Sequence, residues 1–127
     1  PLPFHSIKVH LLHIMKDTPM EKEYLRGEIQ IFSMDDYVET VCDFLERIPS
    51  DISVQRLTAD APPSVLVAPA WCLERKTIYQ KIDQEFVRRG TRQGSRVSDN
   101  VRQDLSWKHQ ARRQAPFPIA EAARLAS

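Results

Sequence analysis

From Ser33 to Pro49 the chain reads SMDDYVETVCDFLERIP, with Tyr37, Val38, Val41, Phe44, Leu45 and Ile48 recurring at helical spacing. A helix with its apolar residues on one stripe must pack that stripe against another layer. Ser33 with Asp36 three residues on is close to a capping box, Asp standing where Glu or Gln is usual. Asp35 and Asp36 suit the positive end of the helix dipole, and Pro49 ends the run. The flanking segments follow a period of two instead. In Ser6 to His13, Ile7, Val9 and Leu11 share one face and Lys8, His10 and Leu12 the other. After the helix, Ile52, Val54 and Arg56 fall on one face, and Ser53, Gln55 and Leu57 on the other. Strand, helix and strand at this spacing predict a parallel right-handed crossover, which places the chain in the α/β class.

The remaining segments are read from their punctuation. Thr18 caps a short helix with Pro19 at its first position, and Gly27 stops it. Ile29 to Phe32 is a brief apolar link. The stretch DAPPSVLVAP, residues 60–69, is broken by Pro62, Pro63 and Pro69 and holds an extended segment at Val65 to Val67. Glu74 to Arg89 predicts a second helix with Ile78, Ile82 and Phe86 on one stripe, Arg88 and Arg89 at its negative end and Gly90 as its cap. From Thr91 the periodicity fades, with Trp107 and Phe117 isolated and an alanine-rich stretch at 119–126.

Charge divides along the same line. Residues 1–90 carry 11 Lys and Arg against 14 Asp and Glu, whereas residues 91–127 carry 7 against 3. The end of the chain is therefore a basic, weakly structured tail with its own electrostatic character. Cys42 and Cys72 form no CxxC pattern, which excludes a disulfide scaffold or a zinc site. No apolar run is long enough to span a bilayer, and the expected setting is a reducing cytoplasm. No glycine-rich phosphate loop, Ser-His-Asp set or HExxH pattern is present. The chain begins at Pro1, within a few residues of its first strand, and is read as a fragment of a longer protein.

Five collinear segments carry a family resemblance: IKVHLLHIMKDTPM at 7–20, SMDDYVETVCDFLERIP at 33–49, VQRLTADAP at 54–62, VLVAPAW at 65–71 and TIYQKIDQEFVRRGTRQG at 77–94. Together they resemble the late barrel strands of uncharacterised radical SAM proteins of the YhcC type, relatives of the Elongator catalytic subunit's radical SAM domain. The resemblance implies a partial parallel (β/α) barrel over residues 1–94, followed by a poorly ordered basic extension over 95–127. For the parent protein it implies a [4Fe–4S] cluster that reductively cleaves S-adenosylmethionine. It assigns no cofactor to this chain alone, because the cluster cysteines of such enzymes lie earlier in the barrel and neither Cys42 nor Cys72 matches them.

Four residues are candidates for a cofactor and substrate pocket. Lys8 and His10 lie opposite the apolar face of the first strand, so they point into a barrel lumen if that face meets the helices; the other reading places them in solvent or against backbone. Arg56 suits bidentate capture of a carboxylate or phosphate, and the resemblance places it at a strand end near the cofactor; its structural alternative is an ion pair with Asp60. Asp60 orients Arg56 or the proline-rich loop. His13 and Thr18 flank a loop at the end of a parallel strand, where α/β proteins bind ligands. Trp71 either stacks on a planar ligand or packs on the second helix.

The function expected is a C-terminal part of a radical SAM enzyme that lines the S-adenosylmethionine and substrate pocket, lacks cluster ligands and is inactive alone. Its partners are the missing N-terminal barrel portion, or a second copy meeting it through unpaired strand edges. The alternative is a non-enzymatic α/β interaction module binding RNA or an acidic protein through the basic tail.

Overall fold

The computed structural model describes residues 4–98. Its elements run β1 (Ser6–Lys8), β2 (Ile14–Met15), α1 (Pro19–Leu25), α2 (Met34–Glu46), β3 (Ser53–Arg56), β4 (Leu66–Ala68), a 3-10 turn (Ala70–Leu73) and α3 (Arg75–Arg89). The protein is of mixed α/β architecture. β1 pairs with β3 in parallel, so β1, α2 and β3 form the parallel crossover expected from the sequence. The sheets do not go further toward a barrel. β1–β3 and β2–β4 are separate two-stranded sheets, and the second is antiparallel. The expected single strand from Ser6 to His13 also divides. Val9 N–H still bonds Arg56 O at 2.8 Å, but the chain then turns and Ile14 starts a new strand against Ala68.

Local chemistry accounts for the helices. Thr18 Oγ1 accepts from Glu21 N–H at 3.2 Å at the start of α1, and Ser33 Oγ accepts from Asp36 N–H at 3.1 Å at the start of α2. α3 ends on Gly90 at φ 66°, a left-handed conformation that glycine adopts without a Cβ penalty. Ile78, Tyr79, Ile82 and Phe86 of α3 meet Tyr37, Val38, Val41, Cys42 and Leu45 of α2, and both helices cover Val54, Leu57 and the apolar face of β1. Each fully buried Leu or Ile contributes about 1.5–3 kcal/mol of apolar transfer. Phe44, read from its spacing as part of this stripe, is instead largely exposed at the stripe's border.

β3 departs from simple alternation. Ile7 pairs with Val54, but Lys8 pairs with Arg56, so Gln55 and Arg56 together oppose one residue. This extra residue is a β-bulge, which reverses the phase of the strand beyond it. Val54 and Leu57, three residues apart, thus both enter the core. The face assignment made from the sequence is corrected accordingly: Leu57 moves inward, and Arg56 leaves the face of Val54 to stand beside Lys8.

Two phenols hold the backbone where β3 ends. Tyr37 Oη donates to Leu57 O at 2.6 Å, and Leu57 N–H donates to Tyr79 Oη at 3.1 Å. Burial pushes the Tyr37 phenol up to about 12, so it remains a donor at neutral pH.

At the other end of the helices a charge network joins α2, α3 and the following turn. Arg89 reaches Glu85 at 2.8 Å, Asp43 at 2.6 Å and Glu46 at 3.3 Å. Glu46 is 0% exposed; its Oε1 accepts from Thr91 Oγ1 at 2.6 Å. Arg96 Nε lies 2.7 Å from Glu46 Oε2, a charge contact off the hydrogen-bonding direction. Arg96 N–H also bonds Glu46 O, Gly94 N–H bonds Leu45 O, and Val97 is buried. Order therefore continues past Gly94, which the fading periodicity after Thr91 did not signal. The basic tail beyond Ser98, with Trp107, Phe117 and the alanine-rich stretch, lies outside the described residues.

Two measurements check this account. Tyr37→Phe leaves the Leu57 carbonyl without its buried donor, at about 1–2 kcal/mol, and lowers the melting midpoint by roughly 5–10 °C in a circular-dichroism melt. An unchanged midpoint would count against the clamp. The Glu85 carboxyl is held down from 4.5 to about 2, first by its hydrogen bonds from Arg88 and Arg89. Its folded pKa lies below the unfolded value, so its stabilisation is present above pH 4.5 and lost as pH falls toward 2. Melts across that window fall less steeply for Glu85→Gln than for the parent chain.

Candidate functional site

The parallel pair β1–β3 brings its two C-terminal ends together, and the residues beyond them converge there. Lys8 and Arg56 are partners across the ladder. His10 follows two residues after Lys8 and is exposed, with Nδ1 donating to Leu11 O at 2.8 Å. His13 sets its ring edge against that of His10, with centroids 5.8 Å apart. Burial, and next the neighbouring charge of His10, lower the pKa of His13, against smaller opposing effects from the Ala59 backbone and Asp60. His13 is thus neutral at physiological pH.

Side-chain polar atoms in this region are buried without hydrogen-bond partners among the described residues: His13 Nε2, Arg56 Nε, Thr58 Oγ1 and Arg75 Nε. Thr58 is 0% exposed. Buried polar groups are normally paired, and each orphan has a desolvation cost of about 1–3 kcal/mol. Arg56 and Thr58 stand at the C-terminal end of β3, and the C-terminal ends of parallel strands are where α/β proteins commonly take ligands.

The structure pairs Lys8 with Arg56 across the ladder, leaves His10 exposed two residues beyond Lys8, and gives Asp60 a different partner. Asp60 accepts two hydrogen bonds from Arg75 Nη1, at 2.8 and 3.1 Å, instead of pairing with Arg56. Arg56 forms no ion pair with a carboxylate among the described residues. Thr18 is committed to capping α1 and to Met15 O, at 2.7 Å. Trp71 packs on Tyr37 of α2, centroids 5.4 Å apart, and donates from Nε1 to Phe32 O at 3.1 Å. Sequence reasoning missed Thr58 and Arg75. A threonine between Leu57 and Ala59 carries no local signal, and the Arg75–Asp60 pair spans a proline-rich loop whose course the sequence leaves open.

The sequence profile of the radical SAM C-terminal domain matches residues 4–88. The chain belongs to this family. It is 42% identical over 93 residues to the uncharacterised protein YtqA of Bacillus subtilis, covering 73% of this chain and 29% of that protein. It is 36% identical over 96 residues to the uncharacterised protein MJ0486 of Methanocaldococcus jannaschii, covering 75% and 30%, and 33% identical over 90 residues to YhcC of Escherichia coli, covering 71% and 29%. The chain thus spans under a third of the length of these relatives. No solved structure matches it. Among the described residues, no helix is long and apolar enough to cross a membrane.

A radical SAM domain implies an iron–sulfur cluster, and this chain's thiols do not fit one. Cys42 is buried in the α2–α3 seam, its Sγ 3.8 Å from Ile82 O, and burial pushes its thiol up to about 12. Cys72 is buried in the 3-10 turn, its thiol likewise raised. Metal ligation needs thiolates, which burial opposes. Among the described residues no His, Cys, Asp and Glu cluster could hold a metal ion. At pH 8 the native Cys42 thiolate fraction is roughly a thousandfold below that of a free thiol. Both cysteines are accordingly expected to resist a chromogenic thiol reagent until denaturant is added; rapid reaction of the native chain would contradict this burial.

Proposed function

We propose that this chain is the C-terminal portion of a radical SAM enzyme, that it lines the pocket for S-adenosylmethionine and substrate, and that it is inactive alone. The observation that supports the reading is the set of unpartnered polar atoms, His13 Nε2, Arg56 Nε and Thr58 Oγ1, at the C-terminal ends of β1 and β3. Lys8, His10 and Arg56 present the outward polar groups of this pocket. Asp60 acts through Arg75, anchoring the segment after Thr58 to the start of α3. A [4Fe–4S] cluster held by other residues would supply the reductive chemistry that acts on S-adenosylmethionine. This chain's own residues bind and orient: Thr58 and Arg56 offer donors in a partly desolvated setting, and the neutral His13 offers a ring nitrogen without adding charge. The partner that completes the pocket is a preceding barrel portion of a longer protein in a reducing cytoplasm. A second copy, meeting the open edges of β1 and β3, is the other way to cover those edges.

A chimera tests the proposal. The matching segment of the Bacillus subtilis relative is replaced by residues 4–96 of this chain, and both proteins are reconstituted anaerobically with iron and sulfide. The 127-residue chain alone is expected to retain no stoichiometric cluster. The chimera retains one and forms 5′-deoxyadenosine, and His10→Ala weakens its S-adenosylmethionine binding roughly three- to tenfold. A stoichiometric cluster on the chain alone would overturn the proposal, as would a folded, cluster-loaded chimera with no S-adenosylmethionine affinity.

A further inference from the structure

The bulge in β3 has a chemical effect as well as a geometric one. Without the extra residue, Arg56 would lie on the core face with Val54 and Lys8 would face Gln55. With it, Arg56 stands across the ladder from Lys8, on strands about 4.8 Å apart. Two like charges directly opposite each other destabilise a sheet. Neither has a carboxylate partner among the described residues, because Asp60, the acid nearest in sequence to Arg56, is taken up by both oxygens with Arg75. The Arg56 Nε–H is moreover buried and unbonded.

We propose that Lys8 and Arg56 form the seat for a phosphate monoester carried by the substrate of this enzyme; the assignment to substrate rests on the pocket reading above. The charges decide between anions. A carboxylate would neutralise one of the two cations, whereas a phosphate monoester carries about −1.5 to −2 at neutral pH and matches both. The groups divide the work in the usual manner. The arginine fork takes two oxygens in a plane and fixes orientation, and the lysine contributes a mobile point charge. His10, exposed two residues beyond Lys8, sits where the rest of the ligand would continue from the strand ends.

The test uses the isotopically labelled 127-residue chain and follows the Arg56 Nε–H resonance by NMR. Sodium phosphate at pH 7.5 is expected to shift it saturably, while sodium chloride at matched ionic strength leaves no saturable change. Acetate binds at least fivefold more weakly, as a single charge should. Lys8→Gln weakens phosphate binding roughly tenfold; Lys8 is exposed, so this variant keeps the parent spectrum. Arg56→Lys keeps the charge but loses the fork, and weakens phosphate binding by a similar factor in chemical shifts read at Lys8. Three results overturn the proposal: phosphate without saturation, Lys8→Gln without effect, or acetate binding as tightly as phosphate. S-adenosylmethionine provides the last arm. If it displaces phosphate and occupies the same resonances, the seat belongs to the cofactor and the substrate assignment falls, whether or not the chimera is active.

Discussion

The geometry where β3 ends depends on how the backbone of Leu57 is held. Its carbonyl accepts from Tyr37 and its N–H donates to Tyr79, so one peptide segment is tied to both helices at once. The two bonds lie in the core, where low dielectric strengthens them and an unmade bond is costly. They fix the chain at the point where it leaves the strand, with Arg56 on one side and Thr58 on the other. A side chain can be aimed only as well as its backbone is held, and Arg56 and Thr58 flank this doubly bonded residue.

What the sequence reveals follows from the range of the interactions involved. α2 and α3, the Thr18 and Ser33 caps and the Gly90 stop are legible because each is decided within a few residues. The alternation of Ile7 and Val9 against Lys8 and His10 is legible for the same reason, and it places two of the candidate residues on the outward face. The bulge at Gln55 and Arg56 is not legible, because an extra residue in one strand is defined only by the register of its partner. Tyr79 escapes a stripe built on Ile78, Ile82 and Phe86, since its neighbour already satisfies the spacing. The partner of Asp60 and the antiparallel pairing of Ile14 with Ala68 depend on how a proline-rich loop returns across the fold, and no local pattern records that path. Order beyond Gly94 is hidden in the same way, because Gly94 and Arg96 are held by Leu45 and Glu46, far earlier in the chain.

The two ends of the helical layer do different work. At the start of α2 and α3 two phenolic hydrogen bonds position the end of β3, with the Asp35–Lys81 and Asp60–Arg75 ion pairs beside them. At their finish the contacts are ionic: Glu46 and Glu85 are both held below the ordinary carboxylate range, Glu46 first by its bond from Thr91 and Glu85 by Arg88 and Arg89. The family match, from residue 4 to residue 88, takes in Asp43, Glu46 and Glu85 of the ionic end but not Arg89, Thr91 or Arg96. The cysteines take part in neither, lying in apolar packing where their thiols stay protonated.

The ionic end also determines where the chain goes next. α2 and α3 run side by side in the same direction, with Asp35 beside Lys81 and Asp43 beside Arg89. Tyr79 is level with the end of β3, and Arg89 is ten residues further along the same helix, about 15 Å away by helical rise. Because Glu46 grips Thr91 and Arg96 there, the last described residues lie at the pole opposite the strand ends. The two poles are thus fixed by different means: phenolic hydrogen bonds set the chain where β3 ends, and a buried carboxylate holds the turn that carries the last described residues.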